Sequence, residues 1–439
     1  MIEFIKKQPP VRIIAFGFLA VILLGSLLLI MPFSVRDGVK LSYVDALYMS
    51  TSAVCVTGLS TVDAGSTFTT FGQVVMLLLI QVGGLGVATI GAGLILMVGK
   101  KIDLKGISIV KEASNVESSQ GIVRFVINIF IATLVMEFVG AVLSFVSFVR
   151  YMPPLQAVWV SIFHSVATFN NSGFDILGGV EGFAPGTSLM AFQNDVMLNV
   201  TTMLLIILGG IGFVVISEVL RKKIRWKKFS MHTKVVLTMS LALIVVGTLL
   251  IKFTQKDVSW LGALFFSVSS RTAGFATYNV GNFSMATLLV VIVLMFIGAS
   301  PGSTGGGIKT TTLFAVMQGV KSSSSNKAEQ AFCYSMPKDA YKKASVITFL
   351  AVSVVLVATL LISVLEPALS FRDVLFEVVS AFGTVGLSTG VTSSLSTLSK
   401  IVFMVVMFIG RLGPLTIASL WYFDSGKSYF YPEGNISIG

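Results

Sequence analysis

Apolar residues in this chain come in long unbroken runs rather than in alternating or one-sided stripes. Runs such as Ile13 to Met31 and Val74 to Val98 reach the roughly 20 apolar residues that crossing a hydrocarbon core requires. Eight spans are predicted, near residues 13–31, 74–98, 122–149, 196–220, 235–251, 285–320, 344–365 and 400–422, the sixth of them interrupted. Between alternate spans lie shorter half-apolar stretches, such as Asp45 to Val54 and Asp373 to Phe382, each leading into glycine. They are too short to cross a bilayer. The pattern predicts an all-α integral membrane protein with eight transmembrane helices, in which span, short re-entrant helix, glycine loop and span form a unit used four times.

The loops align. They read Cys55-Val56-Thr57-Gly58, Asn170-Asn171-Ser172-Gly173, Arg271-Thr272-Ala273-Gly274 and Gly383-Thr384-Val385-Gly386, with the last glycines 115, 101 and 112 residues apart. A second motif recurs in the span that follows: Gly83-Gly84-Leu85-Gly86, Gly209-Gly210-Ile211-Gly212, Gly298-Ala299-Ser300-Pro301-Gly302 and Gly410-Arg411-Leu412-Gly413. It begins 25, 36, 24 and 24 residues after each loop glycine. Two motifs holding register over four units indicate quadruplication, with units at 11–98, 122–220, 233–320 and 342–422 and a tail at 423–439.

Non-helical backbone at membrane depth is tolerated only against protein or a water-filled path. Four such loops around one axis, with glycine allowing positive φ and no Cβ in the way, can turn carbonyls inward to replace the hydration shell of a monovalent cation. The sixteen loop residues are therefore the candidate selectivity filter. Potassium is placed at Val56, Thr57, Gly58, Ser172, Gly173, Ala273, Gly274, Val385 and Gly386. The glycines at 83, 84, 86, 209, 210 and 212 are read instead as close-packing positions between helices.

Composition agrees with a membrane setting: 54% of residues are hydrophobic and 12% charged. The net charge of +11 does not point to nucleic acid, because 21 of the 31 Lys and Arg fall on alternate inter-span segments. The richest runs from Arg221 to Lys228. This bias places both termini in the cytoplasm and the basic loops beside anionic lipid. The first span is retained as a helix rather than a cleaved signal, since no small-residue cleavage motif follows it. Cys55 and Cys333 fall on opposite sides of the membrane in this topology and cannot pair within a chain. His164 and His232 are too separated for a metal site.

The glycine loops and the interrupted sixth span, over about Arg12 to Tyr422, resemble the membrane subunit of the Trk/Ktr/HKT superfamily of potassium transporters, most closely the KtrB type. The resemblance implies four channel-like repeats around a pseudo-fourfold pore in a bacterial plasma membrane. It also implies a homodimer and a separate cytoplasmic nucleotide-binding regulatory ring of the KtrA/TrkA type. Potassium is then the transported ion, with sodium left open as a coupling or activating ion (symport); no cofactor is expected. A sodium-permeable relative is the alternative. In this family sodium entry accompanies serine at the first loop glycine, and Gly58 is glycine. A membrane-embedded enzyme is a remote third reading, since the spans offer few catalytic groups.

The sixth span breaks at Ala299-Ser300-Pro301-Gly302-Ser303-Thr304-Gly305-Gly306-Gly307-Ile308-Lys309, a stretch that cannot hold a regular helix in lipid. Family resemblance makes it a gate loop below the filter, with Lys309 included. It also makes Arg411, a charge inside a span, an electrostatic barrier beside that loop. The stretch is not a phosphate-binding loop, because Ile308 interrupts the G-K-[ST] pattern and no strand precedes it. Three further expectations concern lone charges. Arg411 is given Glu137 as a candidate ion-pair partner, Arg271 is expected to reach a carboxylate such as Glu377, and Asp45 and Asp373 are expected to cap their pore helices.

Overall fold

A computed structural model describes residues 8–97, 104–114, 121–223, 225–326 and 328–420. The tail at 423–439 lies outside the described residues. Four unbroken apolar helices lead the units: Pro10–Leu29, Ile122–Phe148, Met231–Thr254 and Ala340–Leu365. Each is long enough to span a bilayer, yet only 28–39% of its most apolar stretch is buried by protein. The remainder, with Phe138 at 70% and Phe349 at 72% exposure, is a surface suited to lipid.

Inside this shell sit four short pore helices, Tyr43–Val54, Pro154–Phe169, Trp260–Ser269 and Phe371–Gly383. The last five residues of each are buried. The first and fourth are capped by Ser42 and Ser370, not by Asp45 and Asp373 as the sequence suggested. The Asp45 and Asp373 N–H groups donate to the serine hydroxyls at 3.1 and 3.2 Å, and the hydroxyls donate back to the carboxylates at 2.7 and 2.6 Å. Each aspartate is thus the third helical residue of a reciprocal Ser-x-x-Asp cap. Asp45 also pairs with Lys400 at 2.7 Å, fastening the fourth unit to the first.

The leading helices meet the pore helices by a repeated contact. Ser50, Ser165 and Ser267 donate to the carbonyls of Ile22, Glu137 and Ile244 at 2.7, 2.6 and 2.8 Å. Gly25, Gly140 and Gly247, three residues further along, make room for those serines.

The closing helices depart from expectation. The second and fourth spans were read as continuous, but Thr70–Leu85 and Val87–Met97 meet at 98°, and Val196–Gly210 and Phe213–Lys222 at 99°. Gly86 and Gly212 are the bend points, with φ of 86° and 92°, so they do not serve helix packing. In the eighth span Gly413, at φ 92°, separates Thr397–Leu412 from Pro414–Ser419. The third unit interrupts its closing helix over a longer stretch, between Met285–Phe296 and Thr310–Ser325. Close packing on the pore-helix ends falls to the first glycine in three of the four motifs. A Cβ on Gly83, Gly209 or Gly410 would stand 2.0, 1.9 and 1.9 Å from the carbonyl oxygens of Val54, Phe169 and Phe382, at the pore-helix ends.

Candidate functional site: a ring of four loops over a cross-piece

The residue two places before each loop glycine, Val56, Asn171, Thr272 or Thr384, has positive φ, between 49° and 78°. Such a conformation costs an ordinary L-residue on the order of 1–2 kcal/mol, and it recurs at the same register in all four loops. The glycines themselves have φ of 90°, 71°, 78° and 93°, while the intervening Thr57, Ser172, Ala273 and Val385 do not share it. Alternating hand turns successive peptide planes to the same side, as in backbone nests.

The loops close into a ring. A Cβ on Gly58 would lie 2.4 Å from the Ser172 carbonyl oxygen; one on Gly173, 2.8 Å from Ala273; one on Gly274, 2.2 Å from Val385; and one on Gly386, 2.2 Å from Thr57. Each glycine thus faces the carbonyl of the next loop, in chain order, and the fourth returns to the first. Behind the ring, N–H groups are tied back to the pore helices. Thr57, Ser172 and Val385 donate to the carbonyls of Ser52, Ala167 and Ser380 at 2.8–2.9 Å, and Gly58 and Gly386 donate to the Ser52 and Ser380 hydroxyls at 3.1 Å. These two serines carry no mark of their role in the sequence beyond their shared register.

Of the first residues of the loop quartets, Asn170 and Arg271 turn their side chains away from the ring. Cys55 is fully buried. Asn170 turns its amide to Glu137 and Gln81. Gly383 packs on the Met295 carbonyl. Arg271 does point away from the loops, but not to Glu377: its guanidinium donates to the Ser240 carbonyl and hydroxyl at 3.2 and 3.3 Å. Glu377 is occupied locally, accepting from Ser388 Oγ, Thr389 N–H and Thr392 Oγ1 at 2.5, 2.9 and 2.9 Å.

Outside the ring lies a cavity of about 480 Å³ bordered by all four loop glycines together with Asp63 and Asp175. Burial and the neighbouring Asp63 charge push the Asp175 carboxyl up to about 7, against the Leu177 N–H that favours its ionised form. Sequence reasoning overlooked both aspartates, which follow the loops without a motif.

Beneath the ring runs the segment from Ala299 to Lys309. It touches the second and fourth units as well as its own. Ser300 and Thr304 N–H donate to the carbonyls of Gly210 and Gly209 at 3.0 and 3.2 Å. Gly306 N–H donates to the Thr384 hydroxyl at 2.9 Å, and Gly305 leaves no room for a Cβ against Thr272. Pro301 and Gly302 abut Gly212, Ser303 donates to the Ser300 carbonyl, and Gly307 N–H reaches the Gly410 carbonyl. Arg411 donates to the Thr304 carbonyl and to those of Gly83 and Gly84, which brings the first unit into contact. Its partners are backbone carbonyls; Glu137 is engaged elsewhere. Lys309 donates to the Gly305 and Gly306 carbonyls at 2.7 and 3.4 Å. Both cations border an inner cavity of about 170 Å³ with Ser303, Gly305 and Glu112.

Four re-entrant helices presenting backbone to one axis, inside a lipid-compatible shell, define a multi-pass membrane transport protein. A family model for TrkH, described as a cation transport protein, matches residues 10–429, and the chain belongs to that family. It is 36% identical to the potassium/sodium uptake protein NtpJ of Enterococcus hirae, over 99% of this chain and 98% of that one. It is 34% identical to the Ktr system potassium uptake protein B of Bacillus subtilis, over 100% and 98%. The corresponding protein of Vibrio alginolyticus is 36% identical, over 98% and 94%. The crystal structure of the potassium transporter TrkH from Vibrio parahaemolyticus superposes with a TM-score of 0.74 over 95% of this chain and 86% of that one, at 19% identity. That likeness concerns the fold.

Proposed function

We propose that this chain is the pore subunit of a channel-like potassium uptake transporter. The observation that carries the reading is the closed ring, in which four glycines at positive φ each meet the carbonyl of the next loop. Such backbone offers oxygen ligands of fixed spacing to a dehydrated monovalent cation. The segment from Ala299 to Lys309, with Arg411, serves as the gate: it lies under the ring, bonds to the second and fourth units and through Arg411 is tied to the first, and sets two positive charges in the path of a cation. Conduction therefore requires this cross-piece to move. The names of the Ktr system and NtpJ relatives support potassium as cargo and favour a separate regulatory subunit. A homodimer seated on a cytoplasmic nucleotide-binding ring, with both chain termini on that side, completes the proposal.

Sodium permeation or coupling is a second reading, favoured by the potassium/sodium designation of one relative. Uptake of rubidium and sodium into vesicles holding the purified chain separates the two. Gly58→Ser, which sets a side chain 2.4 Å from the Ser172 oxygen, should lower the rubidium-to-sodium ratio. An unchanged ratio in folded protein would remove the first loop from the filter.

A further inference from the structure

The four units provide internal controls for one another, and one buried group departs from their pattern. The repeated serine contact fixes which positions of the leading helices correspond: Ile22, Glu137 and Ile244 each offer their carbonyl to the pore-helix serine. Two of the three are isoleucine. The second unit alone places a carboxylate there, 7% exposed, and none of the three ion pairs among the described residues includes it. A buried carboxylate lacking a cation costs several kcal/mol in lipid-facing protein, and isoleucine would pack the same helices without that cost.

The carboxylate is occupied by two amides. Asn170 Nδ2 lies 3.0 Å from Glu137 Oε1, 2.8 Å from Gln81 Oε1 and 2.9 Å from the Val166 carbonyl, sharing its two hydrogens among them, and Gln81 Nε2 donates to Glu137 Oε2 at 3.4 Å. Gln81 is likewise a departure. It stands two residues before Gly83, where the other closing helices carry Ile207, Phe296 and Phe408. Asn170 caps the second pore helix and is followed by the left-handed Asn171 and by Ser172, whose carbonyl meets Gly58. Three polar side chains in positions that are otherwise mostly apolar therefore converge at one loop of the ring.

We propose that Glu137 is a positioning residue for the second filter loop: its carboxylate holds the Asn170 side chain, and through it the backbone that turns the Ser172 carbonyl toward the pore. The proposal rests on the reading of the ring as a potassium filter. The remaining loops secure the same backbone by other means. Arg271 is anchored on Ser240, and Ser52 and Ser380 hold the glycine N–H groups, a function Ala167 in the second unit lacks the hydroxyl to perform.

The test is rubidium and sodium uptake in vesicles holding wild type, Glu137→Leu, Glu137→Gln, Asn170→Ala and the Glu137→Leu/Asn170→Ala double variant, each checked for monodispersity. Loss of a buried hydrogen-bond acceptor should lower the rubidium-to-sodium ratio of Glu137→Leu by roughly five- to tenfold. Glu137→Gln, whose carbonyl can still accept from Asn170, should stay within about twofold of wild type. Asn170→Ala should match Glu137→Leu, and the double variant should be no worse than either. A wild-type ratio in folded Glu137→Leu overturns the proposal, as does a Gln variant as impaired as the Leu one, which would assign the effect to charge. If Glu137→Leu does not fold, a wild-type ratio in Asn170→Ala overturns it equally. Failure of wild type itself to prefer rubidium would instead sink the underlying filter reading.

Discussion

Arg411 donates to the backbone carbonyl of Thr304, so the last closing helix grips the middle of the segment that crosses beneath the four loops. Its other guanidinium nitrogen holds the carbonyls of Gly83 and Gly84. One side chain thereby joins the first, third and fourth units at one level of the pore. Charge-assisted bonds of this kind contribute about 1.5–3 kcal/mol each when buried. If the proposed gate is right, Arg411→Ala should release the cross-piece and remove a cation from the ion path together. Basal rubidium uptake in vesicles without a regulatory partner is expected to rise several-fold, with the rubidium-to-sodium ratio kept; reduced uptake by folded variant protein would show that Arg411 braces the open pore.

Deletion of Ser303 to Gly307 removes the contacts to Thr272, Thr384 and Gly410 along with the proposed obstruction. Uptake should increase and lose most of its dependence on a regulatory subunit. Combined with Arg411→Ala, the deletion should give a strongly non-additive increase, since both changes break the same attachment. Simple additivity would mean two independent barriers.

The outer cavity should make uptake sensitive to pH. With its carboxyl raised to about 7, Asp175 is neutral at pH 6 and ionised at pH 8, so the mouth gains a negative charge as pH rises through that window. Uptake from limiting potassium should therefore increase from pH 6 to pH 8, and Asp175→Asn should flatten the profile. Stability runs the other way. The folded state binds more protons than the unfolded chain between its ordinary value of 3.8 and about 7, so ionisation destabilises the fold across that interval. Asp175→Asn should narrow the difference in thermal midpoint between pH 5 and pH 8, and an unchanged difference would exclude Asp175 as its source.

A regulatory ring would dock on the side carrying the basic segments, where Arg221 to Lys228 concentrate positive charge. Co-purification with a cognate soluble nucleotide-binding subunit should be strongest at low salt, where exposed charges are least screened. No complex at any ionic strength would remove the partner from the proposal.

Much of this architecture is legible in the sequence because lipid imposes a simple code. Apolar runs mark helices, and a half-length run ending in glycine marks a re-entrant one. The ring follows from the shared register of Gly58, Gly173, Gly274 and Gly386. The bends at Gly86, Gly212 and Gly413 were hidden because the apolar run continues through each of them, and hydropathy does not register a turn that keeps its residues in protein. Partners of lone charges were the least readable. Arg271 and Arg411 find backbone carbonyls and a serine, groups every residue or many residues possess, so no pairing of opposite charges in the sequence could reveal them. The caps at Ser42 and Ser370 are legible as Ser-x-x-Asp patterns, in which the serine, not the aspartate, takes the N-cap position.

The contact of each loop glycine with its neighbour's carbonyl has a mechanical corollary. Four links joined end to end form a hoop, and a hoop bears load around its circumference rather than at one point. A bulky group introduced at Gly58 would press on Ser172, shift Gly173 against Ala273, and so travel round to Gly386 and back. The aperture of such a hoop is a collective property, and under the proposed filter reading the size of ion admitted would be set by all four loops together.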